Sequence, residues 1–328
     1  MTRRSLLTTL ASSALALVLM AALVVLARID LAQVLALLAN AKPLPFLALV
    51  VLTSLYLLLS AEKWRLVEQR LAPGTELSRR LCFAFTGIGM AAGQILPMQV
   101  STALTRAIGK RVLRGTGAVR SAVATVFEQL FDFAVSILCG SVSLYVLWSG
   151  RLDVWFVAAG SAIVLCLLLL GPLATAAMTP VPQPMVVGPA PTGRMARFRR
   201  AVVESGLFEV RLARRLFALS VVRFILLWLM AIATTKTVGL NISAVQLAAT
   251  LPLVVLASQL IATPANIGVN EGTFAAVLTG LGVDLETAAQ FALVNRVLVA
   301  AAALTMGAIG AILMQSAAAK DAEVVTAP

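Results

Sequence analysis

The sequence predicts an all-α, polytopic membrane protein with about six transmembrane helices and two re-entrant segments, arranged as an inverted repeat. Three observations support this fold class. Of the 328 residues, 60% are hydrophobic and only 12% are charged, which is far from the composition of a soluble domain. The apolar residues form runs that are long enough to cross a bilayer as helices. The basic residues lie in short segments between these runs, as the positive-inside rule requires.

The formal net charge of +12 does not indicate a nucleic-acid partner, because a basic nucleic-acid-binding domain would be polar throughout. Histidine is absent from the chain, which excludes His-based catalysis and removes the commonest metal ligand. Cys82, Cys139 and Cys166 lie singly in apolar stretches, so we interpret them as packing residues rather than disulfide partners or metal ligands. We therefore predict no metal and no cofactor.

The N-terminal segment has the charges of a signal peptide, but its apolar run from Leu6 to Ala27 exceeds the roughly 7 to 15 residues of a signal h-region. The run is long enough to span a bilayer, so an uncleaved first helix is predicted. Six apolar runs in all are predicted to span the membrane, namely Ser5–Ala27, Leu44–Ala61, Ser121–Trp148, Val154–Ala176, Leu216–Thr235 and Thr287–Gln315.

The stretch Leu81–Thr105 is apolar but is interrupted by Pro, Gly and amide residues. Basic clusters flank it on both sides, with Lys63, Arg65, Arg70, Arg79 and Arg80 before it and Arg106, Lys110, Arg111, Arg114 and Arg120 after it. A full crossing would place one of these clusters on the outer side, against the distribution that membrane proteins show. We therefore predict a re-entrant segment that enters and leaves on the cytoplasmic side.

The stretch Ala244–Val283 has the same character and is predicted to be re-entrant from the outer side. The chain then consists of two halves, residues 1–150 and 153–315, which contain the same four elements in opposite orientation. Both termini are predicted to be cytoplasmic in a bacterial inner membrane. Inverted repeats with Pro- or Gly-interrupted helices at corresponding positions point to a transporter site near the membrane midplane.

Residues 177–215 are predicted to form a cytoplasmic loop. Its first part, Thr179–Gly193, contains five prolines and is expected to be an extended linker. In the part that follows, apolar residues alternate with arginines from Arg194 to Arg215. This pattern fits a short helix on the anionic inner surface of the membrane, and equally a solvated basic loop.

In the first half, Gln94 and Pro97 interrupt the re-entrant stretch, and Arg106 follows. Proline removes a backbone donor, and the carbonyl groups that it frees must face protein or water rather than lipid. A polar cavity is therefore predicted near this break. The simpler alternative is that Pro97 only forms the turn of the hairpin.

The next span carries polar residues at helical spacing, which places them on one face: Ser121, Thr125, Glu128, Asp132 and Ser136. Two carboxylates at such depth are costly, and they are candidates for a functional site by default. The alternative is a structural ion pair with Arg106 or with another cytoplasmic arginine.

The second half repeats the pattern with Pro264, Asn266 and Glu271 around a break and with Arg296 inside the last span. Arg296 lies about ten residues into an apolar helix, on the order of 15 Å deep. Residues 266–271 are equally suited to cap a helix that starts near Gly272. Each half thus offers one acid and one base, which would pair in a closed state or bind a zwitterionic or anionic head group. Arg223, nearer the cytoplasmic end of its span, is expected to snorkel.

These residues resemble the flippase-like family typified by the transmembrane region of lysylphosphatidylglycerol synthases. The resemblance covers roughly Leu44 to Gln315, and it rests on the following motifs: Lys63-Trp64-Arg65, Gln94-Ile95-Leu96-Pro97 with Arg106, Glu128 with Asp132, Pro264 to Glu271, and Arg296. The chain departs from the family pattern at Gln94, at Glu128-Gln129 and at Ala265-Asn266, so the lipid substrate is not carried over. The resemblance also implies that aminoacylation belongs to a separate soluble domain, so no aminoacyl-transferase activity is expected.

The leading hypothesis is a lipid translocase for a phospholipid, an aminoacyl-lipid or a lipid-linked glycan, with no catalytic residue. Arg106 and Arg296 are expected to hold phosphate, while Glu128, Asp132 and Glu271 bind amines or the arginines. The chain has no nucleotide-binding motif, so transport is expected to run downhill or on an ion gradient. Two alternatives remain. One is a membrane enzyme acting on lipid head groups, with Glu128 or Asp132 as base. The other is a non-transporting partner of an envelope lipid or glycan biosynthetic enzyme. The sequence does not predict an oligomeric state.

Overall fold

The computed structural model describes residues 3–71, 77–114, 118–149, 209–259 and 263–326. These parts of the chain form ten α-helices and one short 3-10 helix, with no strand among them. The helices are α1 (Arg3–Leu26), α2 (Leu31–Ala39), α3 (Pro43–Leu71), α4 (Arg79–Ala92), α5 (Met98–Arg114), α6 (Ala118–Ser149), α7 (Val210–Val238), α8 (Ala244–Ser258), the 3-10 helix Pro264–Asn266, α9 (Val269–Gly280) and α10 (Leu285–Thr326). The predicted all-α fold class is confirmed.

Four of the described helices are long and apolar enough to cross a membrane, namely Pro43–Leu71, Ser121–Ser149, Val210–Val238 and Leu285–Ser316. A bent pair, Ser13–Leu26 with Leu31–Ala39 at 94°, raises the number to as many as five. The protein is therefore polytopic, with helices at five of the six predicted spans. The predicted span Val154–Ala176 and the linker Thr179–Gly193 lie outside the described residues.

The bounds of two spans differ from the prediction. Helix α3 continues ten residues beyond the predicted end at Ala61, because Lys63 and Glu68, which lower the local hydropathy, are buried and paired inside the protein. Lys63 and Lys110 belong to the predicted cytoplasmic basic clusters, and both side chains are buried and paired with carboxylates. Helix α7 begins at Val210 rather than at Leu216, so the last three arginines of the predicted loop, Arg211, Arg214 and Arg215, lie in its first turns.

Helices α4 and α5 form an antiparallel hairpin. The Ser101 hydroxyl donates to the Gly89 carbonyl at 2.9 Å, and a Cβ atom on Gly109 would overlap the Phe85 ring. The chain reverses in the break around Pro97, where the backbone carbonyl of Pro97 accepts the Ser101 N–H. The interruption predicted in Leu81–Thr105 is thus a helix-turn-helix hairpin, which is the local geometry that a re-entrant segment needs.

Helices α8 and α9 form the second hairpin. The Gln246 side chain, in the first turn of α8, donates to the Leu281 carbonyl just after α9 at 3.1 Å. The described part of the break between the two helices contains three residues with positive φ, Ala265 at 50°, Asn266 at 55° and Gly268 at 82°. Such angles are unfavourable for residues with a side chain, so the break is a specifically supported backbone feature.

Helix α4 lies against α10 at backbone contact distance. A Cβ atom on Gly87 would lie 2.8 Å from the Met306 carbonyl oxygen, and one on Gly310 would lie 2.6 Å from the Ala84 carbonyl oxygen. Only glycine permits this approach, which resembles the small-residue interfaces of membrane helices. The first hairpin is therefore fixed directly on the last helix of the chain.

The helix contacts follow a two-fold pattern. If α3 is exchanged with α7, α4 with α8, α5 with α9 and α6 with α10, each extensive contact among these eight helices maps onto another such contact. Helices α3 and α7 run antiparallel, because the Lys42 N–H donates to the Thr237 carbonyl at one end and Arg70 pairs with Glu209 at the other. An inverted repeat produces this arrangement. The division into residues 1–150 and 153–315 stays a prediction.

Candidate functional site

A cavity of about 290 Å³ lies where the two hairpins meet the long helices. Every helix from α3 to α10 contributes to its lining, as do the breaks of both hairpins. The lining includes aliphatic and aromatic residues such as Leu57, Leu227, Leu251 and Phe274, together with carboxylate, guanidinium, amide and hydroxyl groups. The cavity can therefore accommodate a ligand that is itself partly polar and partly apolar.

Most of the residues predicted from the sequence meet at this cavity. Six of them line it, namely Gln94, Glu128, Asp132, Asn266, Glu271 and Arg296. Arg106 lies behind the wall and reaches it through Glu128. Pro97 and Pro264 lie in the two breaks but are not part of the lining, so their contribution is to reverse the chain.

The predicted polar face of α6 points inward. Ser121, Thr125, Glu128 and Ser136 are each at most 1% exposed, and Asp132 lines the cavity. A helix in lipid turns its polar face towards the protein, since the hydrocarbon cannot solvate it. This periodicity was therefore a reliable guide to the inner face.

Arg106 and Glu128 form a fully enclosed ion pair. Nη1 of Arg106 lies 2.5 Å from Oε1 of Glu128, and the two side chains are 0% and 2% exposed. The Arg106 N–H groups also donate to the hydroxyls of Ser60, Thr86 and Thr125. All three guanidinium nitrogens are thus bonded to protein, so Arg106 is not available to a ligand. The structural ion pair weighed for Glu128 is the arrangement found.

Asp132 is held by two cations from different halves of the chain. Its Oδ1 accepts from Lys63 Nζ at 2.6 Å, and its Oδ2 is bonded to Nη1 of Arg223. The guanidinium of Arg223 stacks on the Tyr56 ring at 4.3 Å from its centroid. The expectation that Arg223 snorkels is wrong: the residue is 8% exposed, because Asp132 on the neighbouring helix provides a counter-charge inside the protein.

Lys63, Tyr56 and Arg223 are functional candidates that the sequence reasoning missed. Lys63 belongs to the Lys-Trp-Arg motif that supported the family resemblance, but it was placed at the end of a span. Arg223 lies inside an apolar run, and an intramembrane cation is a functional candidate by default. The rule that identified Arg296 would thus have identified Arg223.

Glu271 and Arg296 form a looser pair at the second break. Oε2 of Glu271 accepts the Gly268 N–H at 2.7 Å, so the predicted capping role is confirmed. Its Oε1 lies 3.8 Å from Nε of Arg296, and Nη1 of Arg296 donates to the Ala265 carbonyl at 3.0 Å. The Arg296 side chain is 25% exposed and faces the cavity. The two interpretations of Glu271, cap and charge partner, therefore hold together.

Three buried carboxylate and amide oxygens of the lining have no hydrogen-bond partner among the described residues, Oε2 of Glu128 and Oδ1 of both Asn266 and Asn270. The Asn266 amide is oriented by its Nδ2, which donates to the Ser258 carbonyl at 2.7 Å. Buried polar atoms are almost always satisfied in native structures. These oxygens are thus available to donor groups of a ligand.

The charged groups at the cavity do not balance. Four cations and three carboxylates line the cavity or bond directly to its lining, the cations being Lys63, Arg106, Arg223 and Arg296 and the carboxylates Glu128, Asp132 and Glu271. Among the described residues, the site therefore carries one excess positive charge if all groups are ionised. A buried charge requires a partner, so the site favours an anionic group.

A family model described as the lysylphosphatidylglycerol synthase TM region matches residues 10–307. The matched region contains both hairpins and every residue of the cavity lining. No curated protein matches the chain, and no solved structure matches it.

Proposed function

The chain belongs to the family of the lysylphosphatidylglycerol synthase TM region, a family related to membrane lipids, and from this membership we propose that it is a lipid translocase. In this proposal the cavity carries the head group of a phospholipid, an aminoacyl-lipid or a lipid-linked glycan between the leaflets. The proposal assigns no catalytic residue and no cofactor.

The amphipathic cavity between the two broken segments is the observation that carries the proposal. Its volume of about 290 Å³ lies at the lower limit of small-molecule pockets, which measure roughly 300–1,000 Å³. A head group fits such a volume, whereas two acyl chains do not. A lipid would therefore place its head group in the cavity and leave its chains in the bilayer.

The two hairpins supply the access that translocation needs. We propose that the α4–α5 hairpin enters from the cytoplasmic side and the α8–α9 hairpin from the outer side, as the flanking charges predict. A two-fold related pair of broken helices around one central site is the architecture of alternating access. Each leaflet would then reach the same cavity through the equivalent path.

Flipping of labelled lipids in proteoliposomes tests the proposal. Arg296→Gln removes the exposed guanidinium from the cavity, and Glu271→Gln removes the carboxylate while Gln can still cap α9. Both variants are expected to lose flipping. Arg79→Gln is the matched control, because the Arg79 side chain is 77% exposed and lies outside the cavity. The measurement is the fraction of labelled lipid accessible to an external quencher over time.

Retained folding of each variant is checked by size-exclusion chromatography in detergent. Wild-type flipping in both Arg296→Gln and Glu271→Gln would rule out the proposed site. Loss of flipping in Arg79→Gln would indicate that the assay reports basic charge rather than the cavity.

We also propose that the protein resides in a bacterial inner membrane with both termini in the cytoplasm. Single cysteines in place of Arg79 and Arg111, which are both exposed, flank the first hairpin. In a background without the native cysteines, an impermeant thiol reagent should label both from the cytoplasmic side. Labelling from opposite sides would contradict the re-entrant arrangement.

A further inference from the structure

We infer that Arg223 is the residue that binds the ligand's phosphate and that, in the structure, the Asp132 carboxylate occupies the phosphate position. This inference rests on the proposed function only in taking the phosphate to be part of a lipid. It differs from the expectation that Arg106 and Arg296 hold phosphate, and it follows from how the charges of the cavity are distributed.

The excess positive charge belongs to the cluster that Asp132 forms with Lys63 and Arg223. Arg106 is neutralised by Glu128 and is bonded on all of its nitrogens. Arg296 has Glu271 beside it, so each of these pairs is neutral as a unit. Asp132, in contrast, shares one negative charge between Lys63 and Arg223. An incoming anion is therefore attracted most strongly to this cluster.

Arg223 is the accessible cation of the cluster. Both Arg223 and Asp132 line the cavity, whereas Lys63 does not and its side chain is 0% exposed. A phosphate in the cavity thus meets Arg223 rather than Lys63.

The orientation of Arg223 does not depend on Asp132. The guanidinium lies over the Tyr56 ring, and a stacked guanidinium keeps its plane when one hydrogen-bond partner leaves. Nη1 now serves Asp132. With Nη2 it forms the planar fork that binds two oxygens of one phosphate.

Lys63 provides a place for Asp132 when the phosphate binds. Lys63 Nζ already donates to Asp132 at 2.6 Å and to the Glu128 carbonyl at 3.1 Å. The Asp132 side chain is 26% exposed, so it has space to turn away from Arg223. A phosphodiester carries one negative charge, so the Lys63–Asp132 pair and the Arg223–phosphate pair would both be neutral. Phosphate binding therefore removes the charge imbalance at the cavity.

Equilibrium binding to the full chain in detergent tests this inference without any transport step. The probes are dioctanoyl phosphatidylglycerol, dioctanoylglycerol, which lacks the phosphate, and inorganic phosphate, with calorimetry as the readout. Arg223→Gln should weaken phosphatidylglycerol binding at least tenfold, on the order of the loss of one charge-assisted contact. Asp132→Asn should strengthen it about fivefold or more, because the competing carboxylate is gone.

Two further variants separate this mechanism from a general charge effect. Asp30→Asn removes one negative charge, as Asp132→Asn does, but at a position outside the cavity. It keeps the cap of α2, since Asn caps as well as Asp. This variant should therefore leave binding unchanged. The double variant Asp132→Asn with Arg223→Gln should not show the stronger phosphatidylglycerol binding of Asp132→Asn. If Asp132→Asn alone does not fold because Lys63 is left unpaired, Lys63→Met with Asp132→Asn removes the buried pair together and should show the same gain.

A gain for phosphatidylglycerol that is absent for dioctanoylglycerol and requires Arg223 supports the inference. If inorganic phosphate shows the same dependence on Asp132 and Arg223, the subsite is for phosphate itself and the lipid is not required. A gain that persists without Arg223, or an equal gain for dioctanoylglycerol, would overturn it. Loss of flipping together with intact phosphate binding would count against the proposed function alone.

Discussion

The cavity has two acid–base pairs, Arg106–Glu128 in the first half and Glu271–Arg296 in the second. Each consists of one arginine and one glutamate, but the two pairs differ in how far they are enclosed by protein. The first pair is almost fully enclosed at 2.5 Å, and three hydroxyl side chains complete the bonding of its arginine. The second pair is 3.8 Å apart, and its arginine is a quarter exposed. Arg106 in α5 corresponds to Glu271 in α9, and Glu128 in α6 corresponds to Arg296 in α10. The acid and the base are therefore exchanged between the two pairs. An approximate two-fold arrangement therefore contains one pair whose arginine is closed to a ligand and one pair whose arginine is open to it.

The difference teaches that charge at a corresponding position does not define a role. What decides is whether the protein itself completes the hydrogen bonding of the charged group. A buried pair with every donor used stabilises the bundle only as a unit, because either partner alone would be an unpaired charge. A pair with unused donors and acceptors retains free bonding capacity for a substrate. Four measurements would test or refine this contrast.

Arg106→Ala is expected to have the largest effect. It leaves the buried Glu128 carboxylate without a partner, which costs ~3–5 kcal/mol. We expect loss of monodisperse protein or a strongly lowered unfolding midpoint in detergent. The double variant Arg106→Met with Glu128→Leu removes both charges and should recover most of this stability. A single variant as stable as the wild type would contradict the structural role.

Gly310→Ala tests the contact of α4 with α10 and should lower the free energy of unfolding by about 1–3 kcal/mol. The added methyl would lie 2.6 Å from the backbone carbonyl of Ala84, which cannot move without displacing α4. The matched change in the equivalent contact of α6 with α8 is Gly140→Ala. Its methyl would meet the end of the flexible Leu256 side chain, so we expect a smaller loss. Equal losses in thermal unfolding would mean that the two contacts are equally rigid.

Arg296→Gln is expected to cost only about 1 kcal/mol of stability, in contrast to Arg106. The change removes one hydrogen bond to the Ala265 carbonyl and a loose ion pair that faces a cavity. Thermal unfolding of the purified variant gives the difference. A loss as large as that of Arg106→Ala would show that both pairs are structural, and the contrast would fail.

Asp284→Ala is expected to have the smallest effect, roughly 0.5–1 kcal/mol. Asp284 caps α10, the helix that carries Arg296, by accepting the Thr287 N–H at 2.8 Å. This hydrogen bond holds the pKa of Asp284 below its usual value of 3.8, so its contribution is complete at neutral pH and is lost in acid. Asp284→Asn keeps the cap and serves as control. Identical unfolding midpoints at neutral pH for the wild type and the Ala variant would refute the capping contribution.

The sequence predicted the helical fold and much of the cavity wall because its signals are local. The polar face of α6 follows from helical spacing, and the break around residues 264–271 follows from Pro264 and the adjacent amides. Charges deep in apolar runs identified Glu128 and Arg296. These features need only the composition of one segment and the rule that lipid does not solvate polar groups.

The pairing of charges could not be predicted in the same way, because it depends on contacts between distant segments. Lys63 meets Asp132, 69 residues further along the chain, and Arg223 reaches the same carboxylate from 91 residues away. Both were therefore interpreted from their own segments, as a cytoplasmic charge and as a snorkelling side chain. For Arg106, sequence spacing placed the residue near the cavity but did not show that its donors are all used.

The contact of α4 with α10, and its counterpart between α6 and α8, has a consequence for how such a chain is assembled. Each hairpin rests on the last helix of the other half, so neither half contains the complete support of its own hairpin. Fragments made by cutting the gene between α6 and α7 would each leave a glycine-rich or polar groove facing lipid. Complementation by co-produced fragments, rather than independent folding of either one, is what this interlocking implies. The two predicted halves would then fold together rather than separately.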